Sequence, residues 1–198
     1  MPSPATLTDA IGARVRHERQ TRRWTLDQLA EAADVSRRML VNVEKGAANP
    51  SIGILLKISD ALGVGLPALV EPPEPAGLRV TPAGTGTVLW TGAAGGRGVL
   101  VTGTSSPDVV ELWDWTLGIG DRYDSQAHAA GTKELVQVQE GRLALEVSAQ
   151  AVELATGDAL AFPGDVPHAY VHAGTGPCRF SLAVFEPGVG TSSRTSRA

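Results

Sequence analysis

Three of the four histidines lie between residues 128 and 172, in two segments that also carry a glutamine, a glutamate and a tyrosine. If these segments are strands, side chains two residues apart share a face. That alternation groups Gln126 with His128, and His168 with Tyr170 and His172. Both segments could then direct polar groups into one interior, where imidazoles and carboxylates bind a metal ion or hydrogen-bond a small molecule.

The chain after residue 78 has the composition of a β-sheet domain. Short runs rich in Val, Leu, Thr and Trp are separated by glycine pairs and by Pro-Asp and Gly-Asp steps, which favour turns. Several short strands with no helical run between them predict a sandwich or a barrel. The predicted strands are Gly98–Thr102, Val109–Leu117, Glu134–Glu140, Arg142–Ser148, Ala159–Pro163, Ala169–Ala173 and Arg179–Phe185.

The two polar segments resemble the two motifs of the cupin family. The first motif has a glycine, two histidines one residue apart, a glutamate and a second glycine, and the second has a glycine, a proline, a histidine and often an asparagine. Gln126 stands at the first histidine, and the stretch between His128 and Glu134 is one residue longer than usual. Asp165 replaces a common glycine, and His172 stands at the asparagine.

The resemblance implies an all-β cupin barrel, a double-stranded β-helix or jelly roll, with a pocket inside it. It also implies that the surviving metal-ligand positions are His128, Glu134 and His168. Such a set suits Fe(II), Mn, Ni or Zn, and Gln126 would be a weak fourth ligand. A second interpretation is that these groups, together with Tyr170, hydrogen-bond a small organic effector in a pocket that requires no metal.

The first 70 residues have a helical texture instead. Leu, Ala, Arg and Glu recur there at three- and four-residue spacing, which predicts amphipathic helices. A first helix is predicted from a cap at Thr8 or Asp9 to about Arg22. Thr25 and Ser36 are suited to cap the second and third helices, which a tight turn of about three residues separates.

Two short helices joined in this way form a helix-turn-helix. Residues 9–70 resemble the Cro/C1-type, or XRE, family of DNA-binding domains. The resemblance rests on Leu26-x-x-Leu29-Ala30, Val35-Ser36, Val43-Glu44-Lys45-Gly46, Asn49-Pro50-Ser51 and Leu55-x-x-Ile58-x-x-Ala61-Leu62-Gly63-Val64. It implies an all-α five-helix domain, similar to that of the lambda repressor, whose third helix enters the major groove of double-stranded DNA.

The resemblance also assigns roles within the predicted DNA-binding surface. The residues expected to contact base edges are Arg37, Arg38 and Asn42, because arginine suits guanine and asparagine suits adenine. Those expected to contact phosphate groups are Thr25, Ser36 and Lys45. Glu44 is predicted to be structural and to pair with an arginine of the first helix such as Arg19. Asp34 stands in the turn, where aspartate tolerates left-handed backbone geometry.

Charge is divided between the two parts of the chain. The 198 residues have a formal net charge of −4, which by itself argues against nucleic acid. Residues 1–70 hold nine basic and seven acidic residues, however, so that this part carries +2 and the remainder −6. A charge of +2 predicts modest non-specific DNA affinity, so a homodimer on a pseudo-palindromic operator is expected to supply specificity.

Composition predicts two modules joined by a spacer. The predicted parts are a helix-turn-helix domain at 1–70, a proline-rich linker at 71–78, a cupin domain at 79–187 and a disordered tail at 188–198. Cys178 is the only cysteine, which excludes an internal disulfide framework and fits the cytoplasm. No signal peptide is visible at the start of the chain, and no apolar run reaches the ~18–20 residues of a membrane helix.

Three functions are compatible with this organisation. The first is a transcriptional regulator, not an enzyme, whose cupin domain senses a small-molecule effector and needs no obligatory cofactor. The second is a cupin metalloenzyme, such as a dioxygenase or isomerase, with a fused autoregulatory DNA-binding domain. The third is a scaffold whose barrel only dimerises, and the inward set of His128, Glu134 and His168 argues against it.

Overall fold

The computed structural model describes residues 4–71 and 78–190, with side chains from residue 7 onward. Its first part is a unit of five helices, which confirms the predicted all-α domain. The helices are α1 (Pro4–Thr21), α2 (Leu26–Ala32), α3 (Arg37–Glu44), α4 (Ile52–Leu62) and α5 (Leu66–Val70). Their buried faces meet in one core, which includes Val15, Leu29, Leu40, Leu55 and Ile58.

Local hydrogen bonds set the ends of the two central helices. The Thr25 hydroxyl accepts from the backbone N–H of Gln28, whose side chain in turn accepts from the backbone N–H of Thr25. The Ser36 hydroxyl caps α3 through the N–H of Met39 at 3.1 Å. Between these caps Asp34 takes a φ of 49°, so the predicted left-handed turn residue is confirmed.

The prediction for the start of α1 was wrong. The helix begins at Pro4, so Thr8 and Asp9 lie inside it and not at its N-cap position. Proline is compatible with a first helical turn because it lacks the N–H that such a turn leaves without an intrahelical partner. The pairing of Glu44 with Arg19 is confirmed, since two hydrogen bonds of 2.6 and 2.8 Å join the guanidinium to the nearly buried carboxylate.

The second part consists of two antiparallel sheets, which confirms the all-β domain. Its strands are β1 (Thr87–Thr91), β2 (Arg97–Gly103), β3 (Val109–Leu117), β4 (Arg122–Ser125), β5 (Lys133–Glu140), β6 (Arg142–Val147), β7 (Gln150–Ala155), β8 (Ala159–Pro163), β9 (His168–His172) and β10 (Cys178–Glu186). One sheet has the order β1-β2-β3-β10-β5-β8 and the other β4-β9-β6-β7. The seven predicted strands are all present, whereas β1, β4 and β7 were not predicted.

An aromatic core fills the space between the sheets. Trp115 lies at its centre, stacked parallel to Phe180 at a centroid distance of 6.0 Å and tilted against Tyr123 at 4.8 Å. Trp113 and Trp115 are 3% and 2% exposed. Both indoles also line the small cavity of the barrel, so they are core and pocket wall at once.

The two units touch on either side of the linker. A Cβ added to Gly65 would meet the Val109 side chain at 2.7 Å, and one added to Gly103 would collide with Pro67. Arg79 bridges the units by pairing with Glu71, after α5, and by donating to the Thr102 hydroxyl of β2. Of the predicted linker, residues 72–77 lie outside the described residues.

The predicted tail is described only at its start. Residues 188–190 form a turn in which the N–H of Val189 donates to the Pro107 carbonyl at 2.6 Å. Val189 is 7% exposed there. The remainder, residues 191–198, lies outside the described residues.

Candidate metal centre and DNA interface

Three elements of the barrel bring the predicted polar residues together. Glu134 occupies an inward position of β5, and His168 and Tyr170 occupy inward positions of β9. His128 comes from the loop that joins β4 to β5. Gln126 lies in the same loop, is exposed, and faces the space between the two units. The strand alternation that grouped Gln126 with His128 does not apply here, because β4 ends at Ser125 and both residues lie in the loop after it.

Three atoms of this group converge on one point. His128 Nε2 lies 3.1 Å from Glu134 Oε1, and His168 Nε2 lies 3.2 Å from the same oxygen. The three ligand atoms all fall within 4.8 Å of one another. The Glu134 and His168 side chains are each 1% exposed and that of His128 is 9% exposed, so water does not satisfy these atoms from outside.

A second hydrogen bond fixes the tautomer of His168. Its Nδ1 lies 2.8 Å from the Val166 carbonyl, which can only accept, so Nδ1 carries the proton. In the neutral ring Nε2 is then a bare lone pair that faces a carboxylate oxygen. The structure gives neither His168 Nε2 nor Glu134 Oε1 a well-aligned hydrogen-bond partner. A proton on His168 Nε2, or a metal cation between Nε2 and Glu134 Oε1, would give both acceptors a partner.

The separation of each histidine nitrogen from Glu134 Oε1 fits a divalent ion. Two ligands about 2.1 Å from an ion lie about 3.0 Å apart at a right angle and about 3.4 Å apart at the tetrahedral angle. The observed separations of 3.1 and 3.2 Å from Glu134 Oε1 fall between those limits. The bond from His168 Nδ1 to a carbonyl is also the outer contact that metal-bound histidines usually make. The residues present therefore fit a metal ion.

Electrostatics keep Glu134 ionised. Burial favours the neutral form of Glu134, but hydrogen bonds from His128 and His168 outweigh it and hold the pKa of Glu134 at about 2. Burial likewise opposes charge on His168, yet Glu134 raises the pKa of His168 above its ordinary value. The Tyr170 O–H donates a hydrogen bond to Glu134 Oε2, which leaves Oε1 to face the two histidines.

Two buried glutamates near the centre were not predicted. Glu111, on β3, accepts a hydrogen bond from the Trp113 indole at 2.9 Å, and burial raises the pKa of Glu111 to about 7. Glu186, on β10, lies 4.0 Å from His128 Nδ1, and burial raises the pKa of Glu186 to about 8. Both sit at inward positions of alternating strands, which is the signal that could have identified them.

The cavity beside the centre is small and is closed by the helical unit. Its volume is about 20 Å³, enough for one water molecule or one ion. Ile52 and Leu56 of α4 line it together with the barrel residues. His172 lies away from the cavity, where its Nε2 donates to the Gly176 carbonyl at 2.6 Å and ties the turn before β10.

The helical unit presents its predicted DNA-contacting residues on α2 and α3. The exposed members of this set are Thr25, Ser36, Arg37, Arg38 and Lys45. Asn42 is half-buried and follows Arg38 by one helical turn, and Lys45 follows three residues later, so these three share a face of α3. Thr25 and Ser36 also cap their helices with the same hydroxyls that were predicted to meet phosphate.

An ion pair that the sequence did not predict restrains one of these arginines. Arg37 Nε lies 2.9 Å from Asp27 Oδ1 on α2, with both side chains exposed. Asp27 therefore competes with DNA for the Arg37 side chain.

In the described residues no helix is long and apolar enough to cross a membrane.

Comparison with known proteins gives the same division of the chain. Residues 15–69 match a family model described as helix-turn-helix, and residues 113–185 match one described as cupin domain. Over 184 residues the chain is 27% identical to the HTH-type transcriptional regulator SutR of Escherichia coli, which covers 91% of this chain and 97% of that protein. Over 60 residues it is 38% identical to an immunity repressor protein of Bacillus phage phi105, which covers 30% of this chain and 42% of that protein.

A solved structure extends the likeness to the arrangement of both units. The crystal structure of an HTH_3 family transcriptional regulator from Vibrio cholerae superposes with a TM-score of 0.71 at 25% identity. The match covers 93% of this chain and 99% of that chain. The order of the two units is therefore shared along almost the whole length of both proteins.

Proposed function

Because its first unit belongs to the helix-turn-helix family and its second to the cupin family, we propose that this chain is a transcriptional regulator that binds operator DNA and senses an effector. The observation that carries this proposal is the exposed face of α3, which is presented by a properly capped helix-turn-helix on a chain that also has a buried polar centre. The regulator acts in the cytoplasm, where the operator is.

The DNA-binding half of the proposal rests on the geometry of α2 and α3. Arg37, Arg38 and Asn42 read base edges, since they project from the first turns of an exposed helix. Thr25, Ser36 and Lys45 contact phosphate groups and set the register of the helix on the duplex.

The barrel half of the proposal is a divalent metal site. His128, Glu134 and His168 would hold an ion such as Zn, Ni, Mn or Fe, whose charge would neutralise Glu134. Tyr170 occupies the other oxygen of Glu134, and the Val166 carbonyl orients the His168 ring. Binding of the ion would release a proton from His168, because the imidazole must be neutral to ligate.

An enzyme is the weaker interpretation of the same centre. A metalloenzyme needs room for an organic substrate next to an open coordination position. The cavity of about 20 Å³, which Ile52 and Leu56 help to line, has room for an ion or a water molecule, so an organic substrate would have to reach His128 from the space between the two units. The transcriptional regulators that the chain resembles along almost its whole length support a sensor over a catalyst.

We also propose a homodimer formed through the outer face of the six-stranded sheet. The ladders align Leu112, Ala183, Leu135 and Ala161 in one row across four adjacent strands. Leu135 is 60% exposed and Leu112 is 42% exposed, although outward positions of a solvated sheet are usually polar. A two-fold dimer would cover this row and present two recognition helices to a pseudo-palindromic operator.

The test is selection of bound duplexes from a random DNA library, followed by affinity measurements with an Arg37→Ala/Arg38→Ala variant. We expect the parent chain to enrich one sequence and the variant to lose discrimination between that sequence and random DNA. Metal content is measured in parallel on the purified chain and on a His168→Ala variant. A stoichiometric amount of bound metal together with turnover of an organic substrate would contradict the regulator proposal.

A further inference from the structure

A large cleft between the helical unit and the barrel has no role in the functions derived above. Its volume is about 760 Å³, against about 20 Å³ for the cavity inside the barrel. Pockets that hold small organic ligands measure roughly 300–1,000 Å³. The cleft therefore has the size of a metabolite site, and the barrel cavity does not.

Both units supply the walls of the cleft. From the helical unit come Ser36 and Met39 of the first turn of α3, and Lys57 and Asp60 of α4. From the barrel comes the run of residues 123–129, which carries Gln126 and His128. A ligand in this space touches the recognition helix and the loop of the metal centre at the same time.

Ion pairs account for most of the charges in the cleft. Lys57 lies 2.9 Å from Asp34, and Asp124 lies 2.7 Å from Arg122. His128 is committed to Glu134 at 3.1 Å. Each of these charges already has a partner within the chain.

Asp60 is the exception among the described residues that line the cleft. No side chain of those residues donates a hydrogen bond to its carboxylate, which is exposed to the cleft. Partial desolvation raises the pKa of Asp60, and the charge of His128 opposes that rise. Val35, Met39, Ile54 and Leu56 form an apolar part of the wall, and Ser51, Ser125 and Gln126 form a polar part. A carboxylate without a partner beside an apolar wall is complementary to an organic cation.

We propose that the effector is an organic cation, an ammonium or guanidinium compound with an apolar body, which binds in this interdomain cleft with Asp60 as its counter-ion. The inference rests on the proposed function for its consequence, which is weaker operator binding. Ser36 lines the cleft and is also a predicted phosphate contact, so a ligand that fills the cleft would lie where the DNA backbone is expected to approach the start of α3. The ligand thus binds the free form of the protein better than the DNA-bound form.

Tethered charges test this proposal without knowledge of the natural ligand. Ala127→Cys places a thiol in the cleft, and Ala130→Cys places one at an exposed position of the same loop that does not line it. Cys178 is fully buried, and burial raises the pKa of its thiol to about 11, so it stays unreactive. The probes are a trimethylammonium-ethyl and a sulfonatoethyl methanethiosulfonate, each used on the full chain.

We expect the ratio of the cationic to the anionic reaction rate to be severalfold higher for Ala127→Cys than for Ala130→Cys. Adding Asp60→Asn should abolish that difference by removing the carboxylate. The cationic adduct of Ala127→Cys should also lose operator affinity severalfold, while the same adduct of Ala130→Cys should not. Equal rate ratios at the two positions, or ratios unchanged by Asp60→Asn, would overturn the proposal.

Different results would contradict the proposed DNA-binding function and the proposed cation site. If the parent chain binds no specific DNA, the proposed function fails, whereas the rate ratio still decides whether the cleft selects cations. If DNA binding is intact and the cationic adduct leaves operator affinity unchanged, the proposed function stands and the cleft is not the effector site.

Discussion

The Asp165 carboxylate accepts a hydrogen bond from the backbone N–H of Gly131 at 2.8 Å. These two residues mark the places where the sequence departs from the cupin pattern, the lengthened loop and the aspartate that replaces a glycine. Gly131 takes a φ of 86°, a backbone conformation that would be strained for any residue with a side chain. The two departures therefore compensate for each other, because the aspartate fastens the longer loop that carries His128 to the start of β9.

Asp165→Ala is expected to weaken metal binding severalfold, because it releases the Gly131 N–H that fastens the loop carrying His128. The variant keeps all three ligands but frees the loop that positions His128. Isothermal titration with Zn²⁺ measures the effect. The matched control is Asp158→Ala, which removes a similar turn bond, from the Ala155 N–H at 2.8 Å, at a distance from the centre. Equal losses in the two variants would contradict the role given to Asp165.

Asp27→Asn is expected to tighten operator binding severalfold. The change removes the anionic partner that holds Arg37 at 2.9 Å and leaves the helices unchanged, because both side chains are exposed. Fluorescence anisotropy with a labelled duplex measures the affinity. Glu31→Gln is the control, since it removes the same charge from an exposed position of the same helix. If both variants gain equally, the effect is general electrostatics and not release of Arg37.

Glu111→Gln is expected to remove part of the pH dependence of the free energy of unfolding. Burial raises the pKa of Glu111 to about 7 in the folded chain, whereas an unfolded chain has a glutamate near its ordinary value of 4.5. Between those values the folded state holds more protons, so stability falls as pH rises from about 4.5 to 7 and is then level. The substitution should stabilise the metal-free chain at pH 8 by on the order of 3 kcal/mol and should do little at pH 4.

Urea denaturation of the metal-free chain across this pH range supplies the measurement. Glu186 contributes a slope of the same sign up to about pH 8, because burial raises its pKa in the same way. Glu153→Gln, at an exposed position of β7, should leave the profile unchanged. A Glu111→Gln profile parallel to that of the parent would show that Glu111 ionises normally in the folded state.

Leu135→Lys is expected to shift the protein from dimer to monomer. The lysine would place a charge in the middle of the apolar row that the proposed dimer buries, where no acidic side chain of the row can neutralise it. Sedimentation equilibrium at micromolar concentration distinguishes the two states. Val152→Lys is the control, because Val152 is a 39% exposed apolar residue on the other sheet. A parent chain that is monomeric at these concentrations would contradict the proposed interface.

Local signals account for what the sequence predicted well. The caps of Thr25 and Ser36, and the left-handed Asp34 between them, depend on contacts a few residues apart, which a sequence displays directly. The pairing of Arg19 with Glu44 spans 25 residues but follows from the order of helices in the family that the chain resembles.

Long-range effects account for what the sequence did not predict. The polar strand β4 and the strand β7, whose composition suits a helix, become strands through their partners β9 and β6. Glu111 and Glu186 look like surface residues in a linear sequence and are buried only because their strands face the cavity. The closure of that cavity by Ile52 and Leu56 depends on how two units pack, which no local pattern reports.

The bridge from Glu71 through Arg79 to Thr102 changes what the linker has to do. Its two ends are held together by an ion pair and a hydrogen bond, so the intervening segment closes a loop and does not set the distance between the units. Loop closure costs only about 0.6 kcal/mol more for each doubling of loop length. A spacer of another length could therefore keep the same contacts between the units, because Arg79 and the close approaches of Gly65 to Val109 and of Gly103 to Pro67 lie outside it.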